Sequence, residues 1–310
     1  MPWLDLSTGI NPVPYPTPAV AHEAWARLPE KASLSTLEAS AASAYGVSDG
    51  ELVVAAPGTQ SLIQIFPHIV PNGRVAVFSP TYGEHAHTWR AAGHVVEETP
   101  DIEALFAADI AVLTNPNNPD GRVVPADRLQ DLAVRQQESG GLLIIDEAFA
   151  DAHEECSLAP SITARSQNLV VLRSFGKFYG LAGARLGFAI AGTQLALQIR
   201  AALGPWAVSG PTIEVGTRAL ADEAWRIGTR RRLATDQERL STLLRKTGFE
   251  VVGATALFVL VRSGSAQERY RALGEAGILV RRFTHHPDWL RFGLPAGDDS
   301  WARLQDVLGG

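Results

Sequence analysis

"VVLRSFGKFYGLAGARLGFAI", residues 170–190, sets one lysine, Lys177, between a β-branched run and a glycine-studded apolar stretch, with Ser174 before it and Arg185 after it. A lysine in that company is either a solvated surface charge or an amine buried for chemistry. Burying an unpaired ammonium is costly, so the surface is its ordinary place. Only residues elsewhere in the chain can overturn that expectation.

Outward from this stretch, short apolar runs alternate with longer helical patterns. The runs are "ELVVAA" (51–56), "RVAVFS" (74–79), "DIAVLT" (109–114), "GLLIID" (141–146), "NLVVLRS" (168–174) and "RLGFAIA" (185–191). Most are apolar throughout, as parallel strands covered on both faces are. Segments such as "DRLQDLAVRQQESG", with an acid near its start and glycine at its end, read as the intervening helices. That order predicts an α/β domain with right-handed crossovers. From about Pro211 the pattern changes to a long, interrupted amphipathic helix, then two hairpin-like strand regions around a helix, which predicts a smaller α+β domain. The expected division is an N-terminal arm over 1–30, extended through its proline-rich "INPVPYPTP", a large domain over 31–210 and a small domain over 211–310.

The 310 residues are 46% apolar and 19% charged, as in a globular protein. A formal charge of −6 gives no electrostatic case for nucleic acid or an anionic membrane. The single cysteine, Cys156, excludes an intrachain disulfide and fits a reducing compartment. The opening "MPWLDLSTGINP" has no basic segment followed by an apolar run, and no stretch approaches the roughly 20 apolar residues of a membrane span. A cytoplasmic soluble protein without membrane or nucleic-acid partners is expected.

Four features fall at strand ends, where open α/β sheets bind ligands. Gly58-Thr59-Gln60 turns a strand into a helix, and a helix N-terminus suits a phosphate. Tyr82 follows a strand, placed to stack on a planar ring or simply to pack. "NPNNPDGR" is a turn whose Asn118 is an amide free to bond a phenolic oxygen. Asp146 ends an apolar run, so its carboxylate needs a cation. No cluster with metal-ligand spacing accompanies it, and the His85/His87 and His285/His286 pairs read as surface or loop residues. A ligand asking for a cation's partner, an aromatic cover, a phosphate cup and a reactive lysine is pyridoxal phosphate.

As an ordered set, "NPNNPDGR", "DEAF" and Ser174-x-x-Lys177-x7-Arg185 resemble the signature of fold-type I pyridoxal-phosphate enzymes. The resemblance implies a large domain with a mostly parallel seven-stranded sheet between helices, plus a small α+β domain. It also implies that Lys177 bonds the cofactor aldehyde and shuttles protons, Asp146 pairs with the ring nitrogen, Asn118 bonds the ring hydroxyl and Tyr82 stacks on the ring. The phosphate would lie among Gly58, Thr59, Gln60, Ser174 and Arg185, with Arg185 and desolvation lowering the lysine pKa.

Within that superfamily the chain is most similar to the histidinol-phosphate aminotransferase branch and, in it, to the threonine-phosphate decarboxylases of cobalamin biosynthesis. "LDLSTGINPVPYP" and "GPWAVSGPTIEVGTRAL" carry the likeness to the decarboxylases. It implies a homodimer acting on a phosphorylated amino acid whose anions meet Arg281 and Arg291, with Asn118, Ser7 and Asn11 also at the substrate. Phe149 replaces the tyrosine of the aminotransferases, and Leu28 stands where many relatives have a tyrosine reaching the partner subunit's cofactor phosphate. The alternative is an aminotransferase for histidinol phosphate or another amino acid. A ligand-sensing domain of a transcription regulator is a third class, but the chain carries no basic DNA-binding segment and its lysine set is complete.

Overall fold

The computed structural model describes residues 2–17 and 19–309; Pro18, within the arm, lies outside the described residues. Along the chain, β1 (Leu4–Leu6), α1 (His22–Ala26) and α2 (Lys31–Tyr45) precede β2 (Val53–Ala56) and α3 (Thr59–Ile69). Then come β3 (Arg74–Phe78), α4 (Glu84–Ala91), β4 (Val95–Thr99), β5 (Ile110–Thr114), α5 (Ala126–Ser139) and β6 (Leu142–Asp146). The large sheet is completed by β7 (Leu169–Ser174) and β8 (Gly187–Ala191), which flank the one-turn α6 (Phe175–Phe178) and lead into α7 (Thr193–Leu203). The C-terminal part is α8 (Gly210–Ala221), α9 (Glu223–Lys246), β9 (Glu250–Thr255), β10 (Phe258–Arg262), α10 (Ala266–Glu275), β11 (Ile278–Arg282), β12 (Trp289–Gly293) and α11 (Gly297–Gly309).

The fold is that of a fold-type I enzyme. Seven strands lie in the order β2-β8-β7-β6-β5-β3-β4, parallel except for β8, which runs against both neighbours. Alternate residues feed two cores: Val112, Ile144, Val170 and Leu172 face α3, α4 and α7, whereas Leu113, Ile145 and Val171 face the core continuous with the small sheet. Burial on both faces is why these strands are apolar throughout. The six apolar runs all become strands, but they leave out β4. It is a largely exposed edge strand carrying Glu97 and Glu98, so no apolar run marks it.

The small sheet has the order β1-β11-β12-β10-β9. Its first strand comes from the arm: Leu4–Leu6 pair in parallel with Ile278, Leu279 and Val280. Part of the arm is therefore a strand rather than only an extended tether. Asp222 ends α8 and caps α9 by accepting from the Trp225 N–H at 3.0 Å, which accounts for the interruption in the long helical pattern.

Candidate active site

Thr114, Asp146 and Ser174 end three adjacent parallel strands, and their side of the sheet is also reached by the turns after β2 and β3. A cavity of about 190 Å³ opens there, lined by Gly58, Thr59, Gln60, Tyr82, Asn118, Asp146, Ser174, Lys177 and Arg185 among others. These nine are all the cofactor-site residues expected from sequence. The chain has three lysines; Lys31 and Lys246 are exposed, and Lys177 alone is half-buried. Burial holds its amine below the ordinary lysine value, and Arg291 and Arg185 push the same way against the opposing pull of Asp146. Arg291 contributes more than Arg185, the neighbour that the sequence nominated.

Asp146 is 4% exposed and its two oxygens are both engaged. Oδ1 accepts from the Ala148 N–H at 3.0 Å, and Oδ2 lies 3.0 Å from His85 Nε2. His85 is itself 2% exposed, so placing it on the surface was wrong: it sits in the first turn of α4 and backs the carboxylate. His87 and His285 are exposed, and His286 stacks on Trp289 with ring centroids 3.9 Å apart. The signal for His85 was its place three residues beyond Tyr82, at the start of a helix, but nothing in the sequence named its partner.

The anion cup is built by close approach. Gly58 has φ +82°, and a Cβ there would stand 2.8 Å from Arg185 Nη2. Gly187, beside Ser174 and Ala56 in the sheet, leaves equally little room, since a Cβ would meet the Thr59 backbone nitrogen at 2.5 Å. The first N–H groups of α3 have no intrahelical partner, and Arg185 is placed over them. Tyr82 donates its hydroxyl to Gln60 Oε1 at 3.1 Å, and Gln60 Nε2 donates to Glu84 at 3.0 Å, so the Gln60 side chain is already committed.

At the rim, Arg291 is 7% exposed and donates to Asn118 Oδ1 and, at 2.9 Å, to the Ser7 carbonyl. Burial and Arg281 push its pKa down to about 10. Arg281 is exposed and stands opposite Arg291 in the β11–β12 register, a like-charge pair on one face. Two expected substrate contacts are differently occupied. The Ser7 hydroxyl donates to Asp5 at 2.7 Å, so its carbonyl rather than its hydroxyl meets Arg291. Asn11 is 2% exposed, with its amide bonded to Phe178, Val13 and Arg232; this side chain has no free polar atom for a substrate.

Sequence reasoning also missed a buried ionic group behind the site. Arg173 bonds Glu147 at 2.9 Å and Asp151 at 3.2 Å, and Glu147 accepts from the Leu158 N–H at 2.8 Å. Arg173 and Glu147 adjoin Ser174 and Asp146 in sequence, so the pair ties the ends of β7 and β6 together. Among the described residues, no helix is long and apolar enough to cross a membrane.

This site on this fold defines a class. Residues 3–303 match the model of the family described as aminotransferase class I and II, and the chain belongs to that family. It is 44% identical to a threonine-phosphate decarboxylase of Pseudomonas aeruginosa over 309 residues, covering 99% of this chain and 91% of the relative. A threonine-phosphate decarboxylase of a Sinorhizobium species is 42% identical, with 99% and 91% covered. The crystal structure of an L-threonine-O-3-phosphate decarboxylase from Porphyromonas gingivalis superposes with a TM-score of 0.81 at 22% identity, covering 99% of this chain and 98% of that one.

The residues present fit pyridoxal phosphate. A glycine-lined helix N-terminus under an arginine suits its phosphate, a buried carboxylate held by histidine suits its ring nitrogen, and an amine with a lowered pKa suits its aldehyde.

Proposed function

We propose that the chain is a pyridoxal-phosphate-dependent decarboxylase that converts O-phospho-L-threonine to (R)-1-aminopropan-2-ol phosphate in cobalamin biosynthesis. The observation that carries this is the near-full-length similarity to two threonine-phosphate decarboxylases. The charge at the site agrees with it. Arg185, Arg281 and Arg291 have no carboxylate partner among the described residues, and the substrate and cofactor together bring two phosphates and a carboxylate.

When bound, pyridoxal phosphate supplies an electrophilic aldehyde and a conjugated ring that delocalises the electron pair left at Cα. The chain's residues do the rest. Lys177, whose pKa is lowered, would hold the cofactor aldehyde and would carry the proton that the substrate's Cα takes up. Asp146, fixed by His85, would pair with the ring nitrogen and favour its protonated form. The backbone of Gly58, Thr59 and Gln60, with Ser174 and Arg185, would hold the cofactor phosphate, while Tyr82 would cover the ring and Asn118 would bond its hydroxyl. Arg291 and Arg281 bind the substrate's anions and set the carboxylate where its bond to Cα breaks. Phe149, which lines the cavity, packs edge to face on Phe258 with centroids 5.2 Å apart and gives the site an apolar side.

The same proposal includes a cytoplasmic homodimer. Trp25 and Leu28 are 71% and 65% exposed, and Leu28 lines a cleft of about 470 Å³ between α1, α2 and α8, which a second copy would cover. Light scattering showing an active monomer would reject the dimer. The deciding assay supplies phosphothreonine and no keto acid and measures carbon dioxide. Release over many turnovers is expected. Its absence, together with glutamate formed from histidinol phosphate and 2-oxoglutarate, would make the protein an aminotransferase.

A further inference from the structure

We propose that Asn11 and Arg232 form a clasp that caps the helix bearing Lys177, making Arg232 a positioning residue for that lysine. The helix in question, α6, is a single turn. Its start is fixed by β7, but a helix end leaves carbonyls without partners, and one turn has no length to hold itself in place.

The Lys177 carbonyl already accepts from the Tyr179 and Gly180 N–H groups, and the arm adds donors to it and to the two carbonyls that follow. Asn11 N–H donates to the Lys177 carbonyl at 2.9 Å, Asn11 Nδ2 to the Phe178 carbonyl at 2.8 Å, and Tyr15 N–H to the Tyr179 carbonyl at 2.8 Å. Three consecutive carbonyls are thus met from a segment more than 160 residues away. Gly180 makes the approach possible: at φ +69°, a Cβ there would lie 2.8 Å from the Asn11 carbonyl and 2.7 Å from Pro14 Cα.

Arg232 and the Val13 N–H together fix which way the Asn11 amide faces. A primary amide can offer its oxygen or its nitrogen, but a guanidinium only donates. Arg232 Nη2 donates to Asn11 Oδ1 at 2.7 Å while Nη1 is held by Asp236 at 3.2 Å. With the oxygen held on that side, where the Val13 N–H also donates at 3.0 Å, the nitrogen must face Phe178. A residue of α9 therefore joins the arm's own backbone in orienting the cap of a helix in the large sheet's active site. The arm also passes Arg291, which donates to the Ser7 carbonyl four residues earlier.

The proposal rests on Lys177 being the reactive amine, so the first readout is taken without cofactor. In the cofactor-free protein, Arg232→Ala should speed amide hydrogen exchange in residues 175–181 about 10-fold or more, leaving β6 and β10 unchanged. Trapping of pyridoxal phosphate on Lys177 by borohydride should slow, and kcat should fall about 10-fold with KM within about twofold. Arg232→Lys should recover most of each. Asn11→Ala combined with Arg232→Ala should add little to either alone. Unchanged exchange in 175–181, exchange raised equally everywhere, or additive effects would overturn the clasp. Should Arg232→Ala fail to fold, the same local exchange is required of Asn11→Ala, and its absence counts equally against the clasp. Label on another lysine would instead overturn the assignment of Lys177.

Discussion

Gly58→Ala separates a cost to the fold from a cost to the cofactor. The backbone at Gly58, with φ +82° and ψ 158°, lies in a region that glycine alone adopts freely. Forcing alanine there costs about 1–3 kcal/mol, or a fall in Tm of roughly 2–12 °C for a chain of this size. The new methyl group would stand 2.8 Å from Arg185 Nη2 and 3.2 Å from Cζ. These atoms end a flexible side chain, so the guanidinium moves rather than the sheet. Losing a charge-assisted contact to a phosphate costs about 1.5–3 kcal/mol, which is roughly 10- to 150-fold in cofactor affinity. The assay titrates the cofactor-free protein with pyridoxal phosphate and follows visible absorbance, with Arg185→Ala as reference. Arg185→Ala should lower affinity similarly with little loss of Tm, and Gly58→Ala should then lower it no further. A variant that folds and binds with unchanged affinity, or two changes whose effects add, would refute the role given to the glycine.

Lys177→Met should remove a pH dependence. The amine's folded pKa lies below the ordinary ~10.4, so between the two the unfolded chain holds a proton that the folded one lacks. Stability of the cofactor-free protein should rise with pH through that window, and urea unfolding of Lys177→Met should lack the rise. Asp146→Asn should cut turnover far more than stability, and His85→Phe should give a smaller loss of the same kind, since it removes only one partner of the carboxylate; near-normal kinetics in the first would make Asp146 structural. Arg291→Lys keeps the charge but loses the fork shared between Asn118 and Ser7, so KM for phosphothreonine should rise about 10-fold or more, and an unchanged KM would remove Arg291 from the substrate site.

The parts legible in the sequence share one property: each is written in consecutive residues. Val170, Val171 and Leu172 announce a strand buried on both faces, and Asp146, Ser174 and Lys177 announce themselves by ending or following such strands. What stayed hidden depends on contacts across the chain. The segment "EHAHTWRA" is polar enough to read as a surface helix, yet His85 is turned into the sheet because Asp146 waits there. Arg173 lies inside an apolar strand, and only the arrival of Glu147 and Asp151 makes its burial tolerable. Asn11 read as a substrate contact because it lies in a motif of the arm; its partners, Phe178 and Arg232, are respectively 167 and 221 residues away.

The distribution of charge in the site bears on the direction of the reaction. Lys177 Nζ lies 5.9 Å from the centroid of Phe149, and the Arg291 guanidinium lies 4.8 Å from that of Phe258, so cations face an apolar wall. Asp146, the carboxylate lining the cavity, is already engaged by His85 and the Ala148 N–H. A site so short of anions favours a substrate carrying two of them. Once the carboxylate leaves as neutral carbon dioxide, one guanidinium loses its partner and the like-charge pair of Arg281 and Arg291 is again incompletely compensated. The amino-alcohol phosphate is then held less tightly than the substrate was, which favours its departure and opposes the reverse reaction. Histidinol phosphate, the substrate of the alternative reading, carries no carboxylate and would leave one of the two guanidiniums without an anion. The arrangement of arginines thus supports a substrate that carries both a phosphate and a carboxylate, and release of a product that keeps only the phosphate.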